Sequence, residues 1–317
     1  MIIIRGHLGF GDCIHQRAIV REWMERGEDV VLETFYSALY HDLRRKGLKL
    51  QPIPGHPPRV RERGRLLRDP VRVAPDARRF RLTYNAEAIR QHGSILGAQY
   101  ACAGLTMPEK PDFSFPVPDE WRRAARLRIR DTGGKPVMVY RPTVLNNLFR
   151  CEPRLPHGGA YTDLYESIRD RYHVISVANL GNYGEHIAGT EMPADVTYHR
   201  GELTFEELAG LYAEADLAFT CAGFAPVLAQ AVGTRTVIVY GGHEGFRTTN
   251  SVGAHLAPTL PIEPARVCEC HAGHYTRGPG GVGLVKPQVT HECDKTIDMS
   301  AALKSLQEFV EVQRAYA

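Results

Sequence analysis

The 317-residue sequence lacks several features that would assign it to whole classes of protein. It has no apolar run long enough to cross a lipid bilayer, which predicts no transmembrane segment. It starts on a strand-like run instead of a basic and then apolar leader, so we expect no secretion by a signal peptide. Its seven cysteines are an odd number for a disulfide framework and fit a reducing compartment. We therefore expect a cytoplasmic protein.

Two patterns that bind charged cofactors are also missing. The sequence contains no Asp-x-Asp pair of the kind that chelates a metal-bound nucleotide, and we expect no catalytic metal. The glycine loop after the first strand lacks the full Gly-x-Gly-x-x-Gly fingerprint of dinucleotide-binding folds. What the chain does have is an ordinary globular composition and enough length for about two domains.

Positive charge is modest overall, at a formal net charge of +3, but one segment concentrates it. Residues 59–81 hold only three acids, against the arginines Arg59, Arg61, Arg63, Arg65, Arg68, Arg72, Arg78, Arg79 and Arg81. A field of this sign attracts polyanions such as nucleic acid, a phosphorylated glycan or an anionic membrane surface. A solvated surface loop explains the run equally well. The lack of aromatic residues over 59–79 argues against a base-stacking groove.

Strand-like and helix-like segments alternate along the chain, which predicts an α/β fold with parallel sheets. We expect two Rossmann-like domains, residues 1–118 and 119–298, that face each other across a cleft. A last helix, within 299–317, is expected to pack back on the first domain. The expected strands are 2–5, 29–33, 49–52, 137–140, 174–177, 217–220 and 236–240, and the expected helices are 13–26, 36–46, 86–104, 119–131, 161–171, 205–214, 225–232 and 300–313.

The loop between the first strand and the first helix carries a single acid. A buried, β-branched strand leads into Gly9, Phe10, Gly11 and Asp12, at the edge of a sheet where open α/β folds bind their substrates. The glycines allow a tight turn and a close approach of the backbone to a ligand. Asp12 is therefore our candidate for a catalytic base, although Asp is also a favoured helix N-cap. His15, about one turn further on, either orients Asp12 or is a packed core residue.

A second turn repeats this pattern with small residues. The strand ending near Thr220 leads through Ala222, Gly223 and Phe224 into the next helix, whose free N–H groups would cradle a diphosphate. Gly241 and Gly242 follow the next strand and are expected at the same edge of the sheet. Small residues at such turns are also common packing devices, so each motif is weak by itself.

Three arginines follow the strand over 137–140. Arg141 comes directly after it and would supply positive charge to phosphates, a task that guanidinium groups suit geometrically. Arg150 and Arg154 come soon after, and surface solvation explains them as well as phosphate binding does.

Thiols and imidazoles gather near the end of the chain. Cys268, Cys270, His271 and Cys293 lie in a glycine-rich segment, and clusters of this density hold structural zinc ions. The Cys-x-Cys spacing differs from the common Cys-x2-Cys knuckle, so reduced cysteines or one disulfide are alternatives.

With these residues in view, the chain resembles the heptosyltransferase-like glycosyltransferases of family nine, which have the two-domain GT-B fold. Residues 2–15 are similar to the family's opening strand and Gly-Asp loop, with Asp12 at the position of its proposed catalytic base. Residues 93–105 resemble the helix that ends its acceptor domain, and residues 204–242 resemble its nucleotide-sugar segment. Cys268, Cys270 and Cys293 are similar to its cysteine-bearing tail.

The chain departs from the family at the donor turn. The family carries Asp-Ser-Gly or Asp-Thr-Gly and then a histidine there, whereas this chain has Cys221, Ala222 and Gly223 without the histidine. The lysine that follows the family's equivalent of strand 137–140 has no counterpart. These changes indicate a divergent member, for which the resemblance implies the fold and the broad chemistry but not the identity of the sugar donor or acceptor.

The resemblance implies a nucleotide-diphosphate sugar as donor and an inverting transfer to a hydroxyl of an anionic acceptor. Asp12 would act as base with His15 beside it, and Arg141 with the 222–224 and 241–242 turns would bind the diphosphate. The residues expected to contact the acceptor are Gly9, Phe10, Gly11, Arg59, Arg61, Arg63 and Arg65.

Three functions fit these expectations. The first is transfer to a bacterial surface glycan resembling the lipopolysaccharide core, with contact at the inner-membrane surface. The second is the same chemistry on a 5-hydroxymethylated pyrimidine base of DNA, as in phage enzymes of GT-B architecture, since phosphates would supply the acceptor's charge. The third is a non-catalytic module that binds a nucleotide sugar or nucleic acid and has lost its donor motif.

Overall fold

A parallel sheet forms the centre of each of two units, Met1–Pro116 and Val117–Ala317, into which the chain divides. The computed structural model describes residues 1–54, 69, 71, 74–146, 151–180, 184–268, 270–272 and 293–311. Strands alternate with helices in both units, and the parallel pairing confirms the predicted α/β class.

The first unit has a four-stranded sheet in the order β3-β2-β1-β4. Its strands are β1 (Ile2–Arg5), β2 (Val30–Glu33), β3 (Lys49–Gln51) and β4 (Arg78–Arg81), and its long helix is α1 (Phe10–Glu25). The central strand β1 is buried on both faces. Its three consecutive isoleucines point to alternate faces of the sheet, and each is removed from water. A short 3-10 turn over Ser37–Tyr40 leads into α2 (His41–Arg45), so the helix expected over 36–46 is divided in two.

The arginine-rich segment ends in a strand that the sequence does not predict. β4 pairs with β1 at the open edge of the sheet, where exposed charged side chains are well tolerated. Phe80 of this strand stacks on Trp23 of α1, with ring centroids 5.7 Å apart, and so ties the edge to the helix. Arg59, Arg61, Arg63 and Arg65 lie outside the described residues.

A glycine divides the helix that is expected over 86–104. The structure has α3 (Ala86–His92) and α4 (Ile95–Cys102) instead. Gly93 ends α3 in the left-handed conformation, at φ +75°, and the Ser94 hydroxyl then accepts a hydrogen bond from Gly97 N–H to begin α4. The two helices pack on the first unit through Ile89 and Leu96.

The second unit has a six-stranded sheet in the order β12-β11-β10-β5-β7-β9. The strands of this unit are β5 (Val137–Tyr140), β6 (Val144–Asn146), β7 (His173–Val177), β8 (Glu185–Ile187), β9 (Val196–Tyr198), β10 (Leu217–Cys221), β11 (Thr236–Val239) and β12 (Thr259–Ile262). Its helices are α5 (Asp119–Arg128), α6 (Gly158–Arg169), α7 (Phe205–Glu214), α8 (Phe224–Val232) and α9 (Met299–Glu311). The short strands β6 and β8 form a separate antiparallel pair.

The last helix belongs to the second unit. α9 packs on α6 and β12, and its buried residues Ala302, Leu306 and Val310 join the hydrophobic core of that unit. The sequence also predicts that this helix packs back on the first domain, and that contact stays a prediction. Residues 312–317 lie outside the described part of the chain. Among the helices that the structure describes, none combines the length and hydropathy needed to cross a membrane.

Candidate active site

The predicted base, Asp12, lies in the first turn of α1, directly beyond the carboxyl end of β1. The helix begins at Gly9, whose backbone is extended, and no side chain caps it. Asp12 is therefore inside the helix and does not serve as its N-cap. Its side chain is 15% exposed. The carboxylate is thus partly shielded from solvent and still open on one side.

His7 is the residue that contacts this carboxylate. Its Nδ1 lies 2.8 Å from Asp12 Oδ2, and its ring stacks on Tyr84 with centroids 5.3 Å apart. Burial alone would lower the pKa of His7, but the charge and the hydrogen bond of Asp12 outweigh it and raise that pKa above its ordinary value. Sequence reasoning missed His7. The available signal was a histidine within the same glycine loop as the acid.

His15, which the sequence places beside Asp12, is a core residue. It is 3% exposed and packs edge-on against Phe113, with ring centroids 4.9 Å apart. Burial lowers the pKa of His15 to about 4, so its imidazole is neutral at physiological pH. His15 is predicted beside Asp12 because it follows three residues later in the same helix. In the structure, the turn of the preceding loop brings His7 to the acid instead.

Gly9 makes the contact between His7 and Asp12 possible. A Cβ atom at this position would lie 2.2 Å from Asp12 Oδ2 and 3.2 Å from His7 Nδ1. The backbone of Gly9 has φ −72°, which any residue can adopt. The glycine is required here for space, not for an unusual backbone conformation.

Buried polar groups fasten the rest of the loop. The Gln16 Oε1 accepts a hydrogen bond from His7 N–H at 3.2 Å, and the Cys13 thiol donates to the His7 carbonyl at 3.0 Å. Gln99 of α4 reaches Asp12 Oδ1 through its Nε2 at 3.4 Å. Gln16 and Gln99 are both fully buried. Neither glutamine stands out in the sequence, because each lies in an otherwise ordinary helix.

The predicted acceptor residues occupy the outer part of this loop. Phe10 packs edge-on against Tyr36, with ring centroids 4.9 Å apart, and the Tyr36 hydroxyl donates to the Leu8 carbonyl at 3.3 Å. The Leu8 side chain is large, apolar and 40% exposed. Gly11 is the second residue of α1. An apolar surface therefore adjoins the carboxylate.

In the second unit, the predicted donor turn lies between β10 and α8. Gly223 precedes the helix with φ +152°, a conformation that side chains rarely adopt. Among the described residues, no atom lies within 4 Å of the place where its Cβ would stand. Ala222 is buried in the sheet edge. The turn thus places the N-terminal end of α8 beside space that the described residues leave open.

Arg141 is buried under this turn and is already paired. Its guanidinium donates to Glu185 Oε1 at 2.5 Å and to the Val177 carbonyl at 2.9 Å, and it lies 5.1 Å from the centre of the Phe224 ring. Burial opposes the charge, but Glu185 outweighs burial and raises the pKa of Arg141. The sequence assigns Arg141 to phosphates, and that role stays a prediction; in the structure its charge is paired with Glu185 beside the Phe224 ring.

The two glycines after β11 lie against other parts of the same unit. A Cβ on Gly241 would stand 2.1 Å from the Leu155 carbonyl oxygen, so this glycine allows two backbones to approach closely. Gly242 has φ +94° and lies against Cys293. Arg154 forms an ion pair with Glu244, and Arg150 lies outside the described residues.

Three of the predicted metal ligands do come together. The sulfur atoms of Cys268, Cys270 and Cys293 all lie within 4.8 Å of one another, and the Cys270 and Cys293 sulfurs are 3.6 Å apart. His271 is not in this group; its Nδ1 contacts the His243 carbonyl oxygen at 2.6 Å. The His243 Nδ1 itself lies 2.8 Å from Cys270 Sγ. Sulfur–sulfur separations of this size suit thiolates that share one tetrahedral ion with Zn–S bonds near 2.3 Å.

Comparison with known proteins gives a match in structure only. A scan against protein-family models finds no match, and neither does a comparison with curated protein sequences. The structure of E. coli ADP-heptose LPS heptosyltransferase II matches with a TM-score of 0.56 and 12% identity, over 99% of both chains. The chain has the fold of a heptosyltransferase.

Two further structures support this heptosyltransferase-like, GT-B fold. The iron-containing dodecameric glycosyltransferase TibC from enterotoxigenic E. coli matches with a TM-score of 0.60 and 11% identity, over 99% of this chain and 76% of that one. A structure of TibC described as an iron-containing heptosyltransferase in complex with ADP-D-β-D-heptose matches with a TM-score of 0.60 and 13% identity, over 98% and 77% of the two chains.

Proposed function

We propose that the chain is an inverting glycosyltransferase that moves a sugar from a nucleotide-diphosphate donor to a hydroxyl of an anionic acceptor. One observation carries this proposal: a partly exposed carboxylate, Asp12, stands beyond the first strand of a heptosyltransferase-like fold, with a histidine in contact. The structure of TibC with ADP-heptose makes an ADP sugar the first donor to test.

On the acceptor side, Asp12 is the proposed general base. Its Oδ2 faces His7, and within the described part of the chain its Oδ1 is held by the long contact from Gln99. An acceptor hydroxyl that approaches Oδ1 would donate its proton while its oxygen attacks the anomeric carbon of the donor. General bases of this kind contribute about 10²–10⁴-fold to a rate. A single displacement without a covalent intermediate inverts the anomeric configuration.

On the donor side, the start of α8 is the proposed diphosphate site. The N–H groups of the first turn and the helix dipole favour an anion there. The Arg141–Glu185 pair is neutral overall, so we assign Arg141 to holding Phe224 and the turn in place rather than to direct phosphate contact. Backbone dipoles would then stabilise the departing nucleotide diphosphate.

The acceptor that we propose is a bacterial surface glycan, and the cytoplasm at the inner-membrane surface is the proposed location. The support is the E. coli LPS heptosyltransferase fold together with exposed positive charge on β4, from Arg79 and Arg81. An anionic sugar would be drawn to this side of the first unit.

We also propose that Cys268, Cys270 and Cys293 hold a structural metal ion, with zinc as the first candidate. The three sulfurs fit the ligand spacing, and His243 offers a nitrogen next to Cys270. When bound, the ion would cross-link the 268–270 segment to the start of the final segment. Its role would be structural, and Asp12 would act without it.

The function is tested by nucleotide release from a panel of ADP-, UDP-, GDP- and CMP-sugars, followed by transfer to acceptors. Lipopolysaccharide core oligosaccharides and 5-hydroxymethylated duplex DNA are the two acceptor arms. We expect transfer to the glycan from an ADP sugar. Transfer to DNA alone, with a steep loss of acceptor affinity as the salt concentration increases, would show that the acceptor is a nucleic acid and not a glycan. Donor binding without release for any acceptor would indicate a binding module.

A further inference from the structure

The Nδ1 atom of His7 has two partners but only one lone pair. It accepts a hydrogen bond from the Gly9 N–H at 3.0 Å, and it lies 2.8 Å from Asp12 Oδ2. The first contact needs a bare nitrogen, whereas a contact of the second length needs a proton between nitrogen and oxygen. The same atom is therefore arranged for both protonation states.

We propose that His7 stores the proton that Asp12 removes from the acceptor hydroxyl. This inference rests on the proposed function and adds a positioning residue to it. Before the reaction, the hydrogen bond from the Gly9 N–H favours the His7 tautomer that carries its proton on Nε2. Nδ1 is then unprotonated and lies beside the carboxylate. After the reaction, a proton between Nδ1 and Oδ2 makes the charged hydrogen bond that the 2.8 Å distance suits.

The proton and the electrons balance as follows. The acceptor O–H bond breaks, and its oxygen forms a bond to the anomeric carbon. The bond from that carbon to the diphosphate oxygen breaks, and the electron pair leaves with the nucleotide. The proton passes from the acceptor oxygen to Oδ1 of Asp12, rotation of the carboxyl group brings it to the side of His7, and it then passes to His7 Nδ1. Imidazolium and carboxylate form an ion pair. His7 Nε2–H gives a proton to solvent, and exchange of the remaining Nδ1 proton to Nε2 through water restores the starting tautomer.

The surroundings of His7 suit this role. Its side chain is 32% exposed, so Nε2 can exchange protons with water, and stacking on Tyr84 fixes the plane of its ring. The charged groups that act on it are Asp12 from α1 and Arg81 from β4. Arg81 disfavours a positive charge on His7, and Asp12 favours it. The imidazolium is therefore stabilised beside Asp12 but can still release its proton to solvent.

The first test is the pH dependence of single-turnover transfer. With His7 present, the rate should increase with pH through a midpoint above the ordinary histidine pKa of about 6.5, because the neutral ring must be available. In His7→Gln the increase should move toward the carboxylate range near about pH 4, and the plateau should fall about tenfold. His92→Gln, an exposed histidine at the end of α3, is the matched control and should change neither.

The second test does not depend on activity. An NMR titration of the His7 ring should give a pKa above about 6.5 in the natural chain and below it in Asp12→Asn, where burial and Arg81 remain without the carboxylate. The same His7 titration in both proteins would overturn the proposal. So would an unchanged pH profile in His7→Gln, or a loss as complete as in Asp12→Asn, which would make His7 itself the base. Absence of transfer in every protein would refute the proposed function, and the NMR titration would still decide the pairing.

Discussion

At the scale of single residues, the site depends on what surrounds one carboxylate. His7 approaches one oxygen of Asp12, Gln99 approaches the other, and the missing Cβ of Gly9 leaves room for the contact between His7 and Asp12. The spacing of glycines predicts a tight loop and an acid at the sheet edge, and both are present. The identity of the histidine partner follows from the path of the loop, which residue spacing along a helix does not describe.

Replacing Gly9 by alanine tests this arrangement. The added Cβ would displace the Asp12 carboxylate, which is the end of a flexible side chain, so the fold should tolerate the change. We expect transfer to fall about 100-fold, as misplaced catalytic groups do, with little change in melting temperature. Gly158→Ala is the control, because no described atom lies within 4 Å of its Cβ position at the start of α6. Full activity in Gly9→Ala would show that the carboxylate position is not critical.

The Arg141–Glu185 pair gives a second prediction at this scale. Arg141→Met leaves the Glu185 carboxylate buried without its cation, and we expect a loss of about 3–5 kcal/mol in the free energy of unfolding. Adding Glu185→Gln should restore part of that loss, because the charge is then removed. Urea unfolding of the two variants measures both effects. A loss below about 1 kcal/mol, typical of exposed pairs, would contradict the buried pairing.

At the scale of helices and strands, the sequence predicts most elements of the two sheets. Short, mostly apolar runs give β1, β2, β5, β7, β10 and β11, because such runs are typical of buried strands in parallel sheets. β4 is missed because three of its four residues are arginines, and only its edge position tolerates them. β9 and β12 are missed because each is short and only partly buried. The break at Gly93 is missed because apolar spacing continues across it.

The start of α7 offers a test at this scale. Thr204 caps it with a full capping box: the Thr204 hydroxyl accepts from Glu207 N–H, and the Glu207 carboxylate accepts from Thr204 N–H. We expect Thr204→Ala to lower the free energy of unfolding by about 1 kcal/mol. Chemical denaturation at neutral pH measures it. A loss within about 0.2 kcal/mol would show that the cap contributes nothing.

The same capping box predicts a pH dependence. Burial opposes the Glu207 charge, but the Thr204 N–H and Arg128 outweigh it and hold the pKa of Glu207 below its ordinary value. A depressed pKa contributes stability that is present above the ordinary glutamate pKa of about 4.3 and is lost as pH falls through the lower folded value. Glu207→Gln should therefore destabilise the chain at neutral pH but have a smaller effect near pH 3. An equal effect at both pH values would contradict the pairing.

At the scale of the whole molecule, each unit places a small-residue turn after a buried strand of its parallel sheet. One turn presents Asp12, and the other presents the open start of α8. The sequence motifs predict both turns. The thiol cluster is also predicted from residue types, but His243 is not, because it lies far from the cysteines in sequence and reaches Cys270 only through the turn after β11.

Metal analysis tests the thiol cluster. Purified protein should contain about one zinc ion per chain, and Cys270→Ser should lose it together with several degrees of melting temperature. Cys102→Ser, a cysteine of α4 outside the cluster, should retain the metal. Iron in place of zinc would support the metal site but correct the identity of its ion. Intact protein without any metal would contradict the proposed site.

Single-turnover transfer by Asp12→Asn, compared with the natural chain at saturating donor, tests the central proposal most directly. Asp12 lies in the first unit and the proposed donor turn in the second, so donor affinity should be unchanged. We predict that transfer falls by about 10²–10⁴-fold, because the base is removed while the donor site is kept. Transfer at the natural rate by Asp12→Asn would contradict the assignment of Asp12 as the base.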